Sequence, residues 1–195
     1  MSTDLTRIGQ KARKEPNLVF TSLYHHVVDV DNLRACYGTL KPNKATGVDG
    51  VTKQQYGKDL VQNLQNLSQR LKDMKYRPQP KRRSYVPKPG SAKGRPLGIS
   101  SFEDKLVESV VKLVLEPIYE QAFEDSSYGY RPKRSPHRAL AEVRRSVMRR
   151  MSNAIDVDLS SYFDTIQHSK LLGLIAKRVQ DPQILRLVKQ IIRAT

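Results

Sequence analysis

Apolar residues recur along the chain at two spacings, three-to-four and two, and each spacing predicts a different element. Leu60, Leu64, Leu67, Leu71 and Met74 follow one another at intervals of four, three, four and three, which places them on one stripe of an amphipathic helix. Thr52 precedes that helix as a cap, and Tyr76, Pro78 and Pro80 end it. Leu106, Val110, Leu113 or Val114, Pro117 and Tyr119 predict a helix from 102 to about 121, with Pro117, which lacks an N–H, bending or breaking its last turns. Ala139, Val143 and Val147 predict another, whose other faces carry Arg138, Arg144, Arg145, Arg149 and Arg150. Two more helices are expected over 169–179 and 182–192.

The spacing of two is rarer. The β-prone runs 84–87 and 96–100 flank Pro89, Gly90, Ser91, Ala92, Lys93 and Gly94 and predict a hairpin with a basic, glycine-containing loop. Ala154, Ile155, Val157 and Leu159 alternate around acids and predict a strand. Turn formers crowd 42–50, and 124–135 reads as a second loop. Nearer the N-terminus, Leu18, Phe20, Leu23, Val27 and Val28 suggest short helical or irregular packing, Asp31 is expected to cap a helix through Tyr37, and 1–17 reads as a polar segment. Many helices with few strands make the fold class α+β.

At 195 residues the chain is long enough to fold without disulfide staples, and its single cysteine, Cys36, excludes a disulfide framework or a multi-cysteine zinc site. No apolar run approaches the ~20 residues of a membrane span, and the charged, apolar-poor 1–17 does not read as a signal peptide. The expectation is a cytoplasmic protein without a membrane partner. Lys plus Arg number 35 against 19 Asp plus Glu, a net +16 that favours a polyanionic partner. The surplus is clustered. Lys75, Arg77, Lys81, Arg82, Arg83, Lys88, Lys93 and Arg95 have no acid among them, and Arg131, Lys133, Arg134, Arg138, Arg144, Arg145, Arg149 and Arg150 are opposed only by Glu142. Tyr76, Tyr85, Tyr128 and Tyr130 are interleaved with these cations, a composition suited to RNA phosphates and bases.

Against this background Asp156 and Asp158 stand two apart, so that on a strand both carboxylates project from one face. Hard cations such as Mg²⁺ take carboxylate oxygens together with substrate phosphates, which suits such a pair to nucleotidyl transfer. Ion pairing with the local arginines, or capping, is the competing reading.

Several blocks occur in an order that resembles the N-terminal half of a group II intron reverse transcriptase and maturase. Asn43 to Thr52 resembles the family's early loop and helix start, Tyr85 to Pro89 and Arg95 to Ile99 its fingers hairpin, Ser127 to Ala139 the block leading into the palm, and Asp156 to Ile166 the first catalytic strand. The resemblance runs from about residue 18 onward. It implies helix-rich fingers with a small β-hairpin, leading into the first strand and helices of the palm. The divisions it implies are 1–80 for an N-terminal extension and fingers helices, 81–150 for the hairpin and basic helices, and 151–195 for the start of the palm, with the rest of the palm, the thumb and C-terminal domains absent.

By the same resemblance Asp158 is the catalytic, metal-binding aspartate, the Leu159 carbonyl lies beside the Mg²⁺, and Phe163 is the aromatic gate that excludes a ribose 2′-OH. Lys88 and Arg95 match the cations that clamp the incoming dNTP, with Lys93 able to substitute for Lys88. RNA contacts are expected at Arg82, Arg83, Lys93, Arg131, Arg134, Arg144 and Arg145, whereas Asp156 and Asp164 are read as structural. Implied partners are intron or template RNA, a DNA primer or target, and dNTP, with dimerisation left open. The family's second catalytic block, Tyr-x-Asp-Asp, has no counterpart, since the sequence contains no Asp-Asp pair. The chain is therefore expected to be inactive alone. The alternative is a non-catalytic RNA-binding module that assists an intron or another RNA-linked system.

Overall fold

The computed structural model describes residues 3–88 and 91–194, the side chains of residues 3, 88 and 91–93 excepted. From the N-terminus the helices are α1 (Thr3–Lys14), α2 (Tyr24–Val27), α3 (Val30–Thr39), α4 (Lys53–Gly57) and α5 (Leu60–Lys72). An antiparallel hairpin, β1 (Arg82–Lys88) and β2 (Ser91–Ile99), separates them from α6 (Phe102–Tyr119), α7 (Pro136–Met148), α8 (Tyr162–Thr165), α9 (His168–Ala176) and α10 (Pro182–Arg193).

The α6 helix is the axis of the core. It is capped by Ser101, whose hydroxyl receives the Asp104 N–H, and it buries Leu106, Val107, Val110, Val114 and Ile118 completely. Helices α1, α2, α3 and α10 pack against it. The leucine stripe of α5 is seated as its spacing requires, with Leu64, Leu67 and Leu71 fully buried. At about 1.5–3 kcal/mol per fully buried aliphatic side chain, these two helices supply much of the driving force.

The structure departs from the sequence expectations where tertiary contacts decide. Residues 3–14, read as part of a polar segment, form a helix because Leu5 and Ala12 are buried on α6. Gly9 lets the two helices close up, since a Cβ there would lie 3.3 Å from the Pro117 side chain. Pro117 thus serves as a contact, and α6 continues past it to Tyr119. The cap of α3 is Asp29 rather than Asp31, its carboxylate accepting the Asn32 N–H at 2.8 Å. Thr52 caps α4 in a reciprocal capping box with Gln55, but the helix stops at Gly57 and α5 starts afresh at Leu60.

The segment 154–159, expected as a strand, is irregular and exposed. A strand needs a ladder partner for its backbone groups, and among the described residues β1 and β2 pair only with each other. Helices α7, α8 and α9 bury no residue among the described ones, so Leu140, Val143 and Val147 form an open apolar row.

The end of the described chain returns to its beginning. Phe20 and Val179 form a parallel bridge, with Phe20 N–H donating to the Arg178 carbonyl and Gln180 N–H to the Phe20 carbonyl, both at 2.8 Å. Buried Asp181 accepts the N–H groups of Leu23 and Tyr24 with one oxygen and those of Gln183 and Ile184 with the other, so one carboxylate caps α10 and ties it to the start of α2. The Arg178 guanidinium donates to the carbonyls of Ala12, Pro16 and Leu18. No helix among the described residues is long and apolar enough to cross a membrane.

Candidate nucleic-acid interface

The hairpin register sets Arg82 opposite Ile99, Arg83 opposite Gly98, and Arg95 opposite Val86, two residues before Lys88, with an irregularity between Val86 and Lys88. Arg82, Arg83 and Arg95 are exposed. The side chains of Lys88 and Lys93 lie outside the described residues, so only the backbone of these two positions is located.

At the root of the hairpin the loop 40–47 is fastened by cations to its own carbonyls. Lys53 donates to Leu40 and Lys105 to Ala45, each at 2.5 Å, and Arg82 donates to Thr46 at 2.9 Å. Gly47 presses on the backbone of Ser100 and Ser101, where a Cβ would come within 2.5 Å of Ser101. A recess of about 330 Å³ opens between this loop, α4 and α6, with Val51, Ile99 and Phe102 in its wall. Burial pulls the Lys105 pKa down, consistent with its inward position. Exposed Lys41 and Lys44 remain at the recess. In the sequence this lysine group is marked only by the turn formers of 42–50.

The two arginines of the loop after α6 are engaged by the protein itself. Arg131, with a side chain only 6% exposed, pairs with Glu120 at 3.2 Å, donates to the Glu124 and Ser127 carbonyls and stacks over Phe123. Arg134 pairs with Asp125 at 2.9 Å and lies over the Tyr128 ring. Together they shape the loop that carries Gly129 and Tyr130. On α7, Arg144 is exposed and Arg145 pairs with Glu142 at 2.8 Å, a surface pair of i,i+3 geometry.

Asp156, Asp158 and Asp164 are exposed and form no ion pair among the described residues. Among the described residues no three metal-ligating side chains come together. The donors here are the hard oxygens of one carboxylate, Asp158, and of the Leu159 backbone, a type Mg²⁺ accepts but too few to enclose it.

Phe163 follows on α8, 69% exposed, and two other rings meet it: Tyr162 at 5.4 Å between centroids, and Tyr130 at 6.1 Å with an interplanar angle of 84°. The block around Tyr130 and the block around Asp158, 28 positions apart in sequence (158 − 130), are thus joined through aromatic side chains.

Residues 86–194 match the family model described as "Reverse transcriptase (RNA-dependent DNA polymerase)". Over 193 residues the chain is 36% identical to the "Group II intron-encoded protein LtrA" of Lactococcus lactis subsp. cremoris, covering 97% of this chain and 32% of that protein. It is 39% identical to "Protein YkfC" of Escherichia coli over 76% of this chain and 40% of the relative. It is also 31% identical to "Nuclear intron maturase 2, mitochondrial" of Arabidopsis thaliana over 45% of this chain and 12% of that protein. The chain thus spans about a third of the length of the first of these relatives.

Proposed function

The chain belongs to the reverse transcriptase (RNA-dependent DNA polymerase) family, and from that premise we propose that it is the template- and nucleotide-binding part of a group II intron polymerase that also binds intron RNA as a maturase. The observation that carries this reading is the exposed Asp158 followed five positions later by the exposed ring of Phe163, in a chain of net charge +16.

In this reading residues 1–150 are the fingers and 151–195 begin the palm. Arg82, Arg83, Arg144 and Arg145, with Lys93, hold phosphates of the template or intron RNA. Arg131 and Arg134 act indirectly, by shaping the loop that bears Tyr130. Arg95 and Lys88 neutralise the triphosphate of the incoming dNTP. The Phe163 ring fills the volume that a ribose 2′-OH would need, so a deoxyribose is accepted and a ribose is not. The primer 3′-hydroxyl attacks the α-phosphorus, a new phosphodiester bond forms, and pyrophosphate leaves. Asp158 and the Leu159 carbonyl would hold Mg²⁺, which supplies charge neutralisation at the phosphates when bound. Because the sequence holds no Asp-Asp pair, these 195 residues bind nucleic acid without extending a primer.

A filter-binding titration of RNA at several salt concentrations, run beside primer extension with Mg²⁺ and dNTPs, tests both halves. Log affinity should fall linearly with log salt, and Arg82, Arg83, Arg144 and Arg145 all changed to Ala should flatten the slope by up to about three to four units. Binding indifferent to salt would overturn the electrostatic reading. Primer extension by the 195 residues would overturn the need for a further aspartate block.

A further inference from the structure

Tyr130 combines three properties that folding alone does not ask for. Its side chain is 92% exposed, and its φ of 56° places a bulky residue in the left-handed region. Such strain persists where the surrounding structure imposes it, and it concentrates at ligand sites. Its ring also meets the edge of another exposed ring, that of Phe163, at 6.1 Å and 84°. Gly129 beside it has nothing within 4 Å of a would-be Cβ, so neither packing nor φ demands glycine there, while bare backbone lets a ligand come close. Lys133 and Arg138 are exposed nearby in sequence, and Arg138 donates to the Lys133 carbonyl. A protein partner would disfavour exposed lysine around an aromatic anchor, whereas a nucleic acid favours it.

We propose that Tyr130, braced by Phe163, is a stacking face for a nucleobase of single-stranded RNA. The proposal rests on the nucleic-acid reading above and adds to it a contact with the base, whereas the arginines touch phosphate. A face of this kind tolerates any base, because each has a π-surface, and an uncharged ring adds nothing to the counterion release that sets the salt slope.

The test uses the 195-residue chain with a fluorescein-labelled RNA 12-mer and an abasic 12-mer of the same charge. The natural chain should prefer the RNA to the abasic strand. Tyr130→Ala should lower RNA affinity roughly five- to a hundredfold while leaving abasic binding and the salt slope unchanged. Tyr130→Phe should bind as the natural chain does. Tyr130→Leu, which keeps apolar bulk against Phe163 but has no π-face, should lose the preference as Tyr130→Ala does, so a mere packing role is excluded. Competition by free dATP that depends on Tyr130 would assign the face to an incoming nucleotide, and its absence to the RNA strand. Equal binding of RNA and abasic strands by the natural chain, or a Tyr130→Ala variant that keeps the preference, overturns the proposal and leaves this ring to a protein contact. No binding of either strand would instead overturn the nucleic-acid reading beneath it.

Discussion

Asp104 accepts the phenol of Tyr76 at 2.5 Å with one oxygen, while its other oxygen accepts the Gln79 N–H at 3.0 Å and the Ser101 hydroxyl at 2.7 Å. The segment that leaves α5 for the hairpin therefore hangs from the first turn of α6. The orientation of the basic hairpin is inherited from a buried carboxylate at its base.

Tyr76→Phe removes only the phenol oxygen and leaves one Asp104 oxygen buried without its donor. The cost should be about 1–3 kcal/mol, seen as a lower urea midpoint at unchanged slope. A variant as stable as the natural chain would show that the hairpin is held by other contacts.

Alkaline pH should unfold the chain through its buried phenols. Burial, and then Asp181, push Tyr24 up to about 12; burial pushes Tyr119 up to about 12 as well. Tyr56 and Tyr76 are raised by burial and by their neighbours Glu103 and Asp104. A phenol held protonated by the fold contributes its full stability below the ordinary value of 10.0, and loses it as the pH climbs from there through 12. Tyrosinate absorbance and circular dichroism should therefore change together in that window. Ionisation of these four while the helices persist would contradict the assigned burial.

Gly47→Ala should loosen the loop 40–47, since the new Cβ would lie 2.5 Å from the backbone of Ser101. Overpacking of this kind costs about 1–3 kcal/mol. The contacts of Lys105 with Ala45 and of Arg82 with Thr46 should weaken with it, read as faster amide exchange in 44–48 and a lower Tm. Unchanged exchange would mean that the loop can shift without loss.

In a polymerase containing these residues, Phe163→Ala should raise rNTP incorporation relative to dNTP, and Asp158→Asn should abolish synthesis while RNA affinity stays level or rises slightly. Steady-state incorporation with each nucleotide set, beside filter binding, measures both. Unchanged sugar discrimination would remove the gate from Phe163, and substantial synthesis by the Asp158 variant would move the metal to another ligand.

The parts of the fold legible in the sequence are those whose information is local. The Leu64, Leu67 and Leu71 stripe specifies its element within a dozen residues, whereas of the glycine-containing loop expected at 89–94, residues 91–94 belong to β2 and 89–90 lie outside the described residues. The stripe of α1, Leu5, Ile8 and Ala12 at intervals of three and four, is short and set among charged residues, so the segment reads as polar although its seat on α6 makes it a helix. Alternation over 154–159 reads as a strand, yet pairing is a property of two segments, and no partner runs beside it among the described residues. The candidate site divides in the same way. The spacing from Asp158 to Phe163 can be counted along the chain, but the ring of Tyr130 against Phe163 and the inward pairing of Arg131 with Glu120 depend on where separate loops meet.

The bridge from Phe20 to Val179 and the cap that Asp181 gives to Leu23 also impose an order in time. Their partners are separated by 159 and 158 positions, so during synthesis at ~5–20 residues per second the amides of Leu23 and Tyr24 wait roughly ten to thirty seconds for their acceptor. For that interval the N-terminal helices can gather on α6 but cannot lock, and the nascent chain exposes Phe20 and its neighbours to chaperones and proteases. The start of α2 is thus tied down by a helix that follows it by some 158 positions.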